Sequence, residues 1–418
     1  MKKILLGTTA LVGAALVAGA AFAGEDPKVT VGGFSTFEAG YLNSNNDRYN
    51  NSTTFRNDNE IHFNVAGKSD MGLGYGAEID LIADVDGGST AGTSATNSSG
   101  FSQAGIVARR TYGWLQGDQW GHVEFGDNDS VDTTLKVDAS NIARASGGIN
   151  GDWRYFASTN ATGPASAATA IAASAGGVFA GGRSFITSAN LPVANGAATG
   201  FYTDAFADDT KITYYTPRFA GFQAGVSYTP ELADRGESSN SIEDVTAGTL
   251  GGSNIWSGGL NYENQFDQVG VAAAATGEIG HADNTFVGTG GLQNLQAWNV
   301  GAKVSYLGFS VAGSYGDWDK SFAASGSTAW YATGGLAYET GPIGASVTYL
   351  YSKDETGGTG FDDKFQNASV GVDYKLAPGL TPFIEYSWID VDGSGGTAAS
   401  GAIETKSNVI LVGSQLSF

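Results

Sequence analysis

The chain has 418 residues, 42 of them acidic against 21 basic, for a net charge of −21, and it contains no cysteine. Such a balance argues against nucleic acid as a partner and against docking on anionic lipid through a basic patch. The missing cysteines exclude thiol catalysis and a disulfide scaffold. The 63 glycines follow no triplet or nonapeptide period of a collagen or a calcium-binding β-helix.

Residues 1–23, MKKILLGTTALVGAALVAGAAFA, join a Lys pair, an apolar stretch and an Ala-x-Ala end. This pattern predicts a secretory signal peptide cleaved after Ala23, with 24–418 forming one body. Taking Lys2 and Lys3 from the 21 basic residues leaves 19 against 42 acidic ones, about −23 for the exported chain. Beyond this segment no apolar run is long enough for a membrane helix, and the mean hydropathy is −0.11.

From there the dominant period is two, the mark of strands with one apolar and one polar face. In KVTVGGFSTFEAGYL, Val29, Val31, Phe37, Ala39 and Tyr41 share one parity, while Lys28, Thr30, Thr36 and Glu38 share the other. EIHFNVAG sets Ile61, Phe63 and Val65 against Glu60, His62 and Asn64, and GLGYGAEIDL sets Ile79 and Leu81 against Glu78 and Asp80. NVGAKVSY repeats the pattern, with Lys303 on the polar side.

Short turns such as GKSDMG, GDQWG, PRFAG, YLG and KLAPG alternate with long polar stretches at 43–57, 84–104, 129–209, 230–253, 279–294, 316–328, 353–365 and 390–405. The count is sixteen strands, seven short turns and eight long loops, which closes a barrel with both termini on the short-turn side. A soluble sandwich alternates in the same way. Against it stand strands of membrane-crossing length, and Tyr and Trp at the ends of apolar faces (Tyr41, Tyr228, Tyr306, Tyr338, Tyr374). Isolated charges on the polar parity, namely Glu38, Glu78, Lys303 and Glu385, suit a water-filled lumen and not a packed core. The predicted fold is therefore all-β, a 16-stranded antiparallel transmembrane β-barrel.

Three stretches carry a family resemblance. ARRTYGWLQGDQWGHVEFGDNDS resembles the strand–turn–strand that precedes the inward-folded third loop of Gram-negative porins, KITYYTPRFAGFQAGVSYTPE resembles a second hallmark, and VGSQLSF resembles the terminal strand. FGDNDSVDTT is most similar to general diffusion porins of the α-proteobacterial type. The resemblance implies short periplasmic turns, a homotrimer in the outer membrane of a Gram-negative bacterium, residues 129–209 folded into the pore, and passive diffusion of small hydrophilic solutes. It also implies that Phe418 is an outer-membrane assembly signal. Asp127 departs from the pattern, since many porins place Arg after that glycine.

A diffusion pore needs a polar channel of chosen width and field, with no nucleophile. On strand 106–116, Tyr112 and Trp114 are assigned the apolar, outward parity. This sends Arg109, which also matches the family's lumenal arginine, into the pore, and Arg110 outward toward the rim, to lipopolysaccharide phosphates or a subunit contact. Val123 and Phe125 point out, leaving His122 and Glu124 lumenal. Asp127, Asp129, Asp132 and Asp138 open the inward loop and are expected to face wall arginines across a constriction, with Arg56, just before the second strand, on the basic side. Turn and cap chemistry is the bland reading of the same acids. Lumen-wall candidates are Glu38, His62, Glu78 and Lys303. In DNDSVDTTLKVD, Val131 and Asp132 occupy EF-hand positions that need a ligand and a glycine, so it is no EF-hand; a looser Ca²⁺ site among loop carboxylates is left open.

Only His62, His122 and His281 exist, and no Ser-His-carboxylate grouping, metal-spaced cluster or phosphate loop stands out, so no catalytic activity and no required cofactor are expected. The reading is a general porin with a mild cation preference. A substrate-specific channel, for which the loop offers only Trp153, Tyr155 and Phe156 as an aromatic track, and a structural or adhesive outer-membrane protein are the alternatives.

Overall fold

Among the described residues, sixteen strands pair antiparallel with their chain neighbours, and the last closes on the first. The structure, a computed structural model, describes residues 25–45, 51–83, 106–157, 186–194, 208–232, 236, 252–282, 293–323, 328–355, 362–393 and 403–418. The expected signal peptide at 1–23 lies outside them. The strands are β1 (Glu25–Ser44), β2 (Thr53–Lys68), β3 (Gly74–Ile82), β4 (Val107–Gly117), β5 (Gly121–Asp127) and β6 (Thr210–Tyr215). Then follow β7 (Phe222–Glu231), β8 (Gly252–Phe266), β9 (Val269–Ala282), β10 (Leu295–Tyr306) and β11 (Phe309–Asp319). The last are β12 (Thr328–Thr340), β13 (Ile343–Glu355), β14 (Asp362–Tyr374), β15 (Leu380–Gly393) and β16 (Ile403–Ser417).

Closure follows from the chemistry of an apolar surround, where an unpaired strand edge would leave its N–H and C=O groups unsatisfied. The seam sets Phe37 opposite Ser414 and Tyr41 opposite Ile410. Two main-chain hydrogen bonds of 3.1 Å, Gly33 N–H to Phe418 O and Phe418 N–H to Gly33 O, carry the pairing to the last residue. Short and long connections alternate, so both termini lie on the short-turn side.

The outer face is apolar and ends in aromatic belts. Trp298, Tyr315, Trp330 and Tyr351 run ring against ring across β10 to β13, with centroids 5.6, 5.7 and 5.3 Å apart. Near the short turns, Phe309 packs on Tyr338 at 4.3 Å and Phe222 on Tyr262 at 4.6 Å. Trp298 and Tyr306 stand eight residues apart on β10, about 27 Å along the strand and about 20 Å along the axis once tilted, the scale of the apolar band of an outer-membrane barrel.

The inner face is not uniformly wet. After β5 the chain turns inside and forms helix α1 (Val131–Leu135), 3₁₀ turns at Ala139–Ile142 and Gly148–Asn150, and helix α2 (Trp153–Ala157). These pack in order against β7 to β9, then β11 to β14, then β16 and β1. Residues 186–194 return past β13, β11 and β9: Ser352 Oγ donates to Ile186 O (2.6 Å), Trp318 Nε1 to Asn190 O (3.1 Å) and Val193 N to Glu278 Oε1 (3.0 Å).

The largest buried apolar cluster lies between this insertion and the wall. It joins Ile149, Trp153, Phe156, Ile186 and Leu191 of the loop to Leu42, Leu350, Phe365, Ile389, Val409 and Leu411 of the strands. Glycine makes the close approach feasible: a Cβ on Gly301 of β10 would sit 1.7 Å from Val137 O, and one on Gly371 of β14 would sit 2.8 Å from Arg144 O.

Candidate functional site

Ionisable side chains gather on the inner wall from β1 to β6. Cross-strand partners share a face, so the pairing of Asp80 with Arg110, Glu78 with Tyr112 and Gly76 with Trp114 fixes the inward row of β4. Arg110, Tyr112 and Trp114 therefore point into the barrel, and the sequence-based placement of Arg110 toward the rim is corrected. The cause is the parity of Tyr112 and Trp114, whose aromatic rings resemble a lipid-facing row but lie on the inward one. Separately, the β3–β4 register shifts between Asp80 and Leu81, where Arg109 stands opposite no β3 residue. The extra residue turns Arg109 inward as well, so both arginines face the lumen.

Each arginine bridges one wall carboxylate and one loop-end carboxylate. Arg109 Nη1 lies 3.5 Å from Glu60 Oε1 on β2, and its Nε lies 3.5 Å from Asp208, where the loop rejoins the wall. Arg110 Nε lies 3.1 Å from Asp80 Oδ2 on β3, and its Nη1 donates to Asp129 Oδ2 at 2.7 Å, where the loop departs. Buried Lys211 joins the same two ends, donating to Asn128 O and Asp209 O at 2.5 Å each. Burial opposes the charge on Asp129, but Arg110, with Arg109 and Lys211 behind it, holds its carboxyl below the ordinary range.

The expected constriction residues are brought inside but do not form two facing rows. Asp132 is buried and anchors α1, accepting from Ser130 Oγ and Ser257 Oγ at 2.5 Å each. Asp138 caps the 3₁₀ turn at 139–142, accepting from Ser140 N at 2.6 Å, and its other oxygen lies 3.1 Å from Lys136 Nζ. Asp127 accepts from Thr210 Oγ1 and, at 3.2 Å, from Gly236 N. Glu124 binds His122 Nε2 at 2.9 Å and accepts from Asn128 Nδ2. The four aspartates thus turn to four separate sets of partners.

Arg56 lies within β2, not before it. Its guanidinium is 3.7 Å from Glu38, 3.1 Å from Asp58 and 3.4 Å from Asp152 of the loop, and its Cζ sits 3.6 Å above the Tyr155 ring. Arg144 reaches the short-turn end, with Nε and Nη2 each 2.8 Å from the Asp373 carboxylate and Nη1 3.3 Å from Glu339. Sequence reasoning passed over Arg144 and Lys211. Lys303 shares the inward row of β10 with Asn299 and Gly301. Trp153 and Phe156 are buried in the apolar cluster, leaving Tyr155 exposed among the three aromatic candidates.

Glu60, His62 and Asp80 also converge, each offering a ligand atom within 4.8 Å of the others. Glu60 and His62 share the inward parity of β2, and Asp80 is the cross-strand partner of His62. Parity plus register carried the signal, but the register is not visible in the sequence.

A family model described as Gram-negative porin matches residues 7–394. An uncharacterised protein of Rickettsia bellii (strain RML369-C) is 26% identical over 486 aligned residues covering 100% of both chains, and one of Rickettsia typhi (strain ATCC VR-144 / Wilmington) is 24% identical over 493, again covering both fully. Among solved structures, the anion-selective porin from Comamonas acidovorans superposes with a TM-score of 0.58 at 17% identity, covering 94% of this chain and 100% of that one. OmpT, an outer membrane protein of Vibrio cholerae, gives 0.51 at 12%, covering 94% and 98%. These likenesses support the fold.

Proposed function

The chain belongs to the Gram-negative porins of the outer membrane, and on that premise we propose that it is a weakly cation-preferring channel for passive diffusion of small hydrophilic solutes. The observation that carries this reading is the ionisable wall of β2 to β4. Glu60, Glu78 and Asp80 face a closed lumen there beside Arg109 and Arg110, with the loop ends adding Asp129 and Asp208. Carboxylates outnumber the guanidinium groups, so the local field favours cations over anions. The selectivity of the Comamonas porin does not transfer at 17% identity.

The family and fold are those of channels without enzymatic activity, and the wall chemistry needs no cofactor to conduct. A homotrimer, contact with lipopolysaccharide, and Phe418 as an assembly signal extend the same proposal. A substrate-specific channel is less well supported, because two of its three aromatic candidates are packed away from water.

Planar-bilayer recordings test the proposal. A linear conductance that rises with salt without saturating, and a zero-current potential of cation-selective sign in a KCl gradient, are expected. Absence of conductance overturns the channel, and an anion-selective sign overturns the preference. Heat-dependent gel mobility with crosslinking tests the trimer.

A further inference from the structure

The geometry points to a divalent transition-metal site on the lumen wall, formed by His62, Glu60 and Asp80, that takes Zn²⁺-class ions. The three residues occupy neighbouring inward positions of β2 and β3. His62 Nε2 lies 3.6 Å from Glu60 Oε2 and 4.0 Å from Asp80 Oδ1. These separations are too long for hydrogen bonds. They are close to the separation of about 3.4 Å between two donors of a tetrahedral zinc ion with bonds near 2.1 Å.

The unmet polar groups point the same way. Asp80 is fully buried, its Oδ2 meets the Arg110 guanidinium while its Oδ1 has no hydrogen-bond partner, and His62 Nε2 is buried without one too. Burying such groups without compensation is costly, so the cluster is built to receive something. A cation bound between Nε2, Oε2 and Oδ1 would satisfy all three groups at once.

The arrangement around the ligands fits a metal as well. Each carboxylate turns one oxygen to an arginine and the other to His62. Glu60 Oε1 is held by Arg109 and Asp80 Oδ2 by Arg110, which orients the remaining oxygens inward, as outer groups do in metal centres. Two guanidinium groups would repel a further cation if they stood alone. Asp208 and Asp129 already offset them, which leaves the charges of Glu60 and Asp80 for the ion.

An imidazole with two carboxylates favours Zn²⁺, Ni²⁺ or Cu²⁺ over Ca²⁺ and Mg²⁺, which prefer all-oxygen shells. Phe34 meets the His62 ring edge-on at a centroid distance of 6.4 Å and braces it. The His62 side chain is 21% exposed, which gives an ion a route from the lumen. The site stands or falls on binding, whether or not the barrel conducts.

The test is Zn²⁺ titration of the full-length barrel in detergent after chelator treatment, by calorimetry and by competition with a chromophoric chelator. About one Zn²⁺ per chain is expected. His62→Gln, which keeps the side chain polar and nearly the same size, and Asp80→Asn should each weaken it by about tenfold or more. His122→Ala and His281→Ala should leave it unchanged. Retained heat-modifiable gel mobility verifies folding of each variant, and X-ray absorption of the wild-type complex should show one imidazole among oxygen ligands. Wild-type binding no tighter than that of His62→Gln, loss of binding in His122→Ala, or equal competition by Ca²⁺ would each overturn the proposal.

Discussion

Arg109 and Arg110 are consecutive in β4 yet both face the lumen, each tied to one wall carboxylate and one end of the inward loop. The pair therefore couples selectivity to loop position. Arg109→Ala or Arg110→Ala removes a lumenal cation and should shift the reversal potential in a KCl gradient toward cation preference. An unchanged potential would give the arginine a purely structural role. The two should differ in stability. Glu60 retains a little solvent contact, whereas Asp80 has none and loses the guanidinium 3.1 Å away in Arg110→Ala. Stranding a buried charge costs about 3 kcal/mol, so Arg110→Ala should unfold at lower denaturant than Arg109→Ala.

Asp129 gives the Arg110 contact a pH signature. Burial works against its charge, but Arg110, Arg109 and Lys211 together keep its carboxyl below the unfolded value, with Asp208 as its acidic neighbour. A lowered folded-state pKa means that the contribution is complete above the unfolded value and is lost as pH falls through the folded one. Asp129→Asn should therefore be less stable than wild type at neutral pH, and the gap should close in acid. Denaturant midpoints measured from pH 7 downward would show the convergence; a constant gap would contradict it.

At the far end of the described insertion, Arg56 over the Tyr155 ring holds the loop to β2. Tyr155→Ala forfeits a contact worth about 0.5–2 kcal/mol, whereas Tyr155→Phe keeps the ring face. Open-channel current noise should rise in the first variant and stay at the wild-type level in the second. Equal noise in all three would mean that the loop is fixed elsewhere.

The barrel was legible in the sequence because alternation, turn spacing and belt aromatics each depend on residues close together in the chain. Parity sent Phe125 out and Glu124 in, as observed. It failed at Arg110 because Tyr112 and Trp114, on the same parity, resemble a lipid-facing row yet face inward, while the bulge at Arg109 turns that residue inward too. The loop acids were legible as residues but not as contacts. Asp132 meets Ser257 across 125 positions, and no local pattern records that. Inward apolar residues such as Val409 and Leu411, out of place in a wet lumen, are a sequence trace of the buried cluster under α2.

Gly301 offers a way to move the loop without touching the barrel. A Cβ there would collide with Val137 O, while one on Gly334 meets nothing within 4 Å. Gly301→Val should leave gel mobility folded-like but change single-channel conductance, because Val137 must leave the wall. Gly334→Ala should preserve the conductance. If Gly301→Val conducts as wild type does, the loop does not shape the path.

The closing strand separates membrane insertion from interior packing within two adjacent residues. Val412 is 53% exposed on the outer face, and Leu411, 1% exposed, lies in the apolar cluster with Trp153 and Phe156. An arginine on the lipid face of such a barrel costs about 2–4 kcal/mol near mid-membrane, so Val412→Arg should lower the yield of folded barrel in lipid vesicles. Leu411→Ala deletes core volume at a cost of about 2–5 kcal/mol, but the loss falls on the loop–wall contact and leaves every strand pairing of β16 in place. It should insert normally and expose the loop to protease. Assembly failure in Leu411→Ala, with a loop no more accessible than in wild type, would mean that the interior cluster is needed to close the barrel and not only to hold the insertion.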